Sequence, residues 1–103
     1  MTLDDIRELV VSADPAARHY ESRWTEGAYT TWAEYRRLAF TADDRHDEGW
    51  AFQVDRFTMD EDDDVAKRIF QVLDADERVT VEHMVEYEND TGYIHHIFDC
   101  EGY

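Results

Sequence analysis

Val79-Thr80-Val81-Glu82-His83-Met84-Val85-Glu86-Tyr87-Glu88 runs into Asn89-Asp90-Thr91-Gly92 and out through Tyr93-Ile94-His95-His96-Ile97-Phe98-Asp99-Cys100-Glu101-Gly102. Val79, Val81, Val85 and Tyr87 alternate with Thr80, Glu82, Glu86 and Glu88, the period of a half-buried strand. Asn, Asp and Gly then supply the left-handed conformations that a tight reversal needs. With Asp90 and Thr91 at the tip, Tyr87 faces Ile94, Val85 faces His96, His83 faces Phe98 and Val81 faces Cys100. The other face sets Glu86 against His95, Met84 against Ile97 and Glu82 against Asp99. One face of this hairpin is expected to be core and the other acidic.

The remaining elements follow from this sheet. Thr2 and Asp5 form a capping box with a shortened acid, and Leu3, Ile6, Leu9 and Val10 fall at helical spacing through Ser12. Asp14-Pro15 ends that helix. A short strand is expected over His19–Trp24, then a loop over Thr25–Ala28. Tyr29–Phe40 reads as a strand by its aromatic and β-branched content, although Trp32, Tyr35, Leu38 and Ala39 also suit a helical period. Thr41–Gly49 is a polar loop, and Trp50, Phe52 and Val54 mark a third strand. Five acids, Asp60 to Asp64, open a second helix whose apolar face is Val65, Ile69, Val72 and Leu73 and which closes near Ala75. The order is α-β-β-β-α-β-β: a single α+β domain over 1–103, with an antiparallel-rich sheet and helices packed on one face.

Composition narrows the function. The 103 residues carry 26 acids against 10 bases, net −16, so the chain should repel nucleic acid rather than grip it. Nine of the ten bases are arginine, whose forked guanidinium suits interfaces. No apolar run is long enough to span a bilayer. Met1 leads directly into polar residues, which does not read as a signal peptide. The lone Cys100 fits a reducing compartment.

No enzyme, cofactor or metal is expected. The four glycines are isolated and cradle no phosphate. His95 and His96 point to opposite faces. His83 and His96 share a face near Cys100, but no spacing motif supports zinc, and paired core or interface histidines are the plainer reading. Glu82 opposite Asp99 places like charges across a ladder, which is destabilising. The pair suits acid–base chemistry less well than an answering arginine from elsewhere in the fold or from a neighbouring subunit.

Three segments resemble the tail-terminator (tail-completion, or tail-to-head joining) proteins of long-tailed phages. Gly27-Ala28-Tyr29-Thr30-Thr31-Trp32-Ala33-Glu34-Tyr35 is similar to a strand of that family, and Trp50-Ala51-Phe52-Gln53-Val54-Asp55-Arg56-Phe57 to the strand before its acidic helix start. Tyr87-Glu88-Asn89-Asp90-Thr91-Gly92-Tyr93-Ile94-His95-His96 is similar to its closing hairpin. The first helix is short for the family, and a proline common before the second strand is absent.

The resemblance implies a non-catalytic virion protein at the head–tail junction: one subunit of a homohexameric ring between the tail tube protein and the head connector (stopper) protein. DNA would pass through an acidic channel without tight binding. On this reading Asp43, Asp44, Asp47 and Glu48 are candidates for the lumen or tube-facing rim. Arg36, Arg37 and Arg56 are candidates to meet Glu82 and Asp99 across a subunit boundary, since a closed ring joins two different patches. Two rivals are a small acidic DNA mimic that inhibits a nuclease or CRISPR effector and an acidic-surface protein of a high-salt host.

Overall fold

A computed structural model describes residues 1–21, 26–38 and 49–103. The elements are α1 (Leu3–Ala13), β1 (Arg18–His19), β2 (Tyr29–Leu38), β3 (Gly49–Thr58), α2 (Asp64–Ala75), β4 (Val79–Tyr87) and β5 (Ile94–Gly102). They form an α+β domain in the expected order. The sheet runs β1-β2-β3-β5-β4, antiparallel throughout except for the short β1–β2 pair.

α1 starts where the capping box places it. The Thr2 hydroxyl accepts from the Asp5 N–H at 3.1 Å, and Asp5 Oδ2 accepts from the Thr2 N–H at 2.8 Å. α2 is capped by Asp63, whose carboxylate accepts from the Ala66 N–H at 2.9 Å. The buried stripes Ile6, Val10 and Ala13 of α1 and Ala66, Ile69 and Leu73 of α2 lie on one face of the sheet. Ile6, Val10, Ala13, Ile69 and Leu73 meet Trp32, Phe52, Val54, Phe98 and Cys100 there.

The hairpin register is the expected one along its length, from Val79↔Gly102 through Glu82↔Asp99 to Tyr87↔Ile94. The expected core face, however, is only half covered. α2 packs along β4 near its start, leaving Val85 56% and Tyr87 64% exposed towards the tip. Of the strand expected over His19–Trp24, residues 22–24 lie outside the described residues, and β1 ends at His19. It is two residues long, because Tyr20 takes a positive φ of 65° that extended backbone cannot continue. Its last bond runs from the Tyr20 N–H to the Trp32 carbonyl at 2.9 Å.

β2 is a strand and not a helix, and the competing helical period has a physical counterpart. The β2–β3 register slips between Glu34 and Arg36. Tyr35 is the extra residue of this bulge, so Tyr35 and Arg36 fall on the same face.

Candidate functional site

Among the described residues the acidic face of the sheet carries no helix, and its side chains are organised around the β2 bulge. Glu82 and Asp99 do stand opposite each other. Asp99 is answered from within the chain by a tyrosine: the Tyr35 hydroxyl donates to Asp99 Oδ1 at 2.7 Å. Next along, Arg36 Nη2 lies 3.4 Å from Glu101 Oε1, and the Tyr103 hydroxyl donates to Glu101 Oε2 at 2.8 Å. Tyr35, Thr80, Val81, Glu82, Asp99 and Glu101 line a groove of about 210 Å³. The Asp99 and Glu101 carboxylates raise the pKa of Tyr35 and Tyr103 respectively through these hydrogen bonds. The groove is polar, acidic and open, suited to a cationic or hydrogen-bonding surface of a partner.

Of the candidate interface arginines, Arg36 and Arg37 are exposed. Arg37 lies over the Trp50 ring, 4.5 Å from its centroid. Arg56 is corrected: it is a core residue, 7% exposed, and cannot meet Glu82 or Asp99 of a neighbour. Its Nε and Nη2 hold the two oxygens of Asp63 at 2.8 and 3.2 Å. Nη1 donates to the Thr30 hydroxyl at 3.3 Å and lies 3.6 Å from Asp14 Oδ2. Arg56 therefore ties β3 to the cap of α2 and the end of α1. Burial works against the Asp63 charge, but the Arg56 and Ala66 hydrogen bonds outweigh it and hold the carboxyl below its ordinary range.

The acidic run before α2 is thereby partly explained. Asp63 caps the helix, Asp62 pairs with Lys67, and Asp60 accepts from the Asp62 N–H at 2.9 Å. The lumen candidates Asp43, Asp44, Asp47 and Glu48 lie outside the described residues.

A second concave region sits on the helix side, beyond the covered half of β4. It is about 270 Å³ and is lined by Glu61, Asp63, Ala66, Phe70, His83 and His96, among others. His83 Nε2 and His96 Nδ1 share a hydrogen bond of 2.9 Å, and His83 stacks on Phe98 at 4.4 Å. Burial lowers both imidazole pKa values. Cys100 does not join them: its Sγ lies 3.6 Å from the Phe98 carbonyl inside the core, where burial pushes the thiol up to about 12. Among the described residues no group of three or more His, Cys, Asp or Glu side chains is placed to hold a metal ion.

On the opposite face His95 stacks on Phe57 at 4.2 Å and meets Asp55 Oδ1 at 2.7 Å. Tyr29 stacks on the same Phe57 at 4.6 Å. This aromatic platform was signalled by the period-two placement of Tyr29, Phe57 and His95, which the register brings side by side. No family model matches the chain, and no curated protein matches it.

Proposed function

We propose that this chain is a non-enzymatic structural subunit of a phage tail-terminator ring, a homohexamer at the head–tail junction through which DNA passes. The observation that carries the reading is positional. The three stretches that resemble the family lie on two strands and the closing hairpin, which is compatible with the reading. Tyr29–Tyr35 lies in β2, Trp50–Phe57 in β3 immediately before the acidic start of α2, and Tyr87–His96 spans the closing hairpin turn.

Physical features of the surface suit the role. The acidic sheet face presents aromatic and acidic groups to a partner, and a net charge of −16 disfavours DNA adhesion. The ring partners are the tail tube protein on one side and the head connector on the other, with assembly into the virion in the host cytoplasm.

The test is native mass of the purified protein with and without magnesium, followed by imaging with tails that lack their own terminator. A six-subunit species, or a ring seated on those tails, supports the reading. Tight, salt-sensitive binding of a monomer or dimer to a basic nuclease groove, with no binding to tails, sinks it in favour of a DNA mimic. Within a confirmed ring, neutralising Asp43, Asp44, Asp47 and Glu48 together should leave folding intact and alter DNA transit or docking. Arg37→Glu should disperse the ring while Arg37→Gln does so less. Normal ejection in the first variant and an intact ring in the second would remove these residues from the model of assembly.

A further inference from the structure

Among the described residues β4 is an outer strand of the sheet. Its inner edge is bonded to β5 in a phase fixed by two pairs at the ends of the ladder. The Tyr103 N–H donates to the Arg78 carbonyl at 2.9 Å, and the Glu88 N–H donates to the Tyr93 carbonyl at 2.9 Å. Bonded and non-bonded pairs alternate along an antiparallel ladder. The even-numbered residues therefore turn their N–H and C=O groups to β5. Val81, His83, Val85 and Tyr87 turn theirs outward. Val79 fits the same phase, since its N–H bonds the Asp76 carbonyl at 3.0 Å and not β5.

This edge lacks several of the usual protections, and its only charged side chains are Glu82 and Glu86. It is nine residues long, its register with β5 is unbroken, and it contains neither lysine nor proline. Four of the five outward-bonding residues, all but His83, are apolar, and two of them, Val85 and Tyr87, are exposed.

We propose that β4 pairs antiparallel with β4 of a second copy of this chain, about a two-fold axis at His83. The sequence of the strand selects this register. Only alignments that set odd residues against odd residues keep both the bonding phase and the two faces in step. Centred on His83, Val81 meets the partner's Val85, Val79 meets the partner's Tyr87, and His83 meets the partner's His83. On the other face Thr80 meets the partner's Glu86, and Glu82 meets the partner's Met84. No like charges stand opposite. Moving the axis to residue 82 sets Glu82 against the partner's Glu82. Moving it to residue 84 sets Glu82 against the partner's Glu86 twice, which is unfavourable. With the Val79 N–H already held by Asp76, the five odd-against-odd pairs of this register exchange about eight backbone hydrogen bonds and join two sheets into one. The contact is isologous, unlike the head-to-tail contact of a ring, so it stands independently of the proposed function.

Sedimentation of the full chain at mildly alkaline pH, from low micromolar to sub-millimolar concentration, tests the pairing. A concentration-dependent dimer is expected. Val85→Pro removes only an outward N–H, so it should leave the monomer folded by circular dichroism and abolish the dimer. Met84→Glu faces the partner's Glu82 at both ends and should raise the dissociation constant about fivefold, whereas Met84→Lys should lower it by a similar factor. A monomer at every concentration overturns the proposal. So does a dimer indifferent to all three substitutions, or one that Met84→Glu and Met84→Lys shift in the same direction. A six-subunit ring with no dimer, left intact by Val85→Pro, overturns the pairing while supporting the ring.

Discussion

Arg56 shows how one buried charge organises three elements. Its guanidinium spans Asp63, Thr30 and Asp14, so removing it strands two nearly buried carboxylates. Arg56→Met is expected to cost about 3–5 kcal/mol in urea unfolding, and Arg56→Lys less, because lysine keeps the charge and loses the fork. The position was legible in principle. Trp50, Phe52 and Val54 set an alternation whose next member on the core face is residue 56, but arginine in a strand reads as surface until a buried partner is known. His83 and His96 carry a second prediction. Burial holds both below the ordinary imidazole value. The unfolded chain therefore takes up protons first as pH falls through about 6.5, and stability present above that value is lost below it. The thermal midpoint should fall between about pH 8 and pH 5, and a His83→Phe, His96→Phe double variant should flatten that slope. The Asp63 contribution has a depressed carboxyl and is lost only at more acid pH. An unchanged slope in the double variant would place the dependence on other groups.

At the scale of the elements, the hairpin was readable because three signals agreed: period-two patterning, a turn that admits left-handed residues, and a register that sorts the faces. How far its apolar face is covered was not readable, since that depends on where α2 comes to lie. β2 was ambiguous for a different reason. Tyr35 breaks the alternation, and the structure resolves the conflict as a bulge that aims two successive side chains at one face. That bulge has a measurable consequence. Within the chain it is the Tyr35 hydroxyl that answers the carboxylate Glu82 opposes. Tyr35→Phe is expected to destabilise by about 0.5–1 kcal/mol, the scale of one exposed hydrogen bond. In a Glu82→Gln background the loss should shrink, because the opposed charge is gone. A double-mutant cycle measures this coupling, and additive losses would mean the hydroxyl does not relieve the Glu82–Asp99 repulsion.

For the whole molecule, the decisive quantity is a net charge of −16 on 103 residues. Self-repulsion of that charge opposes compactness and is screened by salt. Yet the fold has its own apolar support, with Trp32, Phe52, Phe98, Ile6, Ile69 and Leu73 fully buried. The expectation is therefore a chain that stays folded at low ionic strength and whose thermal midpoint rises as sodium chloride is added. Unfolding at low salt would instead favour the acidic-surface protein of a high-salt host. Assembly should respond more steeply than folding, because each added copy brings a further net charge of −16 into proximity. Magnesium should promote it more effectively than sodium at equal ionic strength, as a divalent ion neutralises two carboxylates at one point. The comparison also separates two kinds of interface. Contacts made by backbone edges and apolar side chains, as at β4, strengthen when repulsion is screened, whereas contacts made by exposed arginine–carboxylate pairs weaken. Dissociation constants measured across salt for the wild type and for Arg37→Gln give the sign for each. A contact that tightens with salt in both proteins is a strand-edge contact, and one that loosens with salt only when Arg37 is present is an ion-paired one.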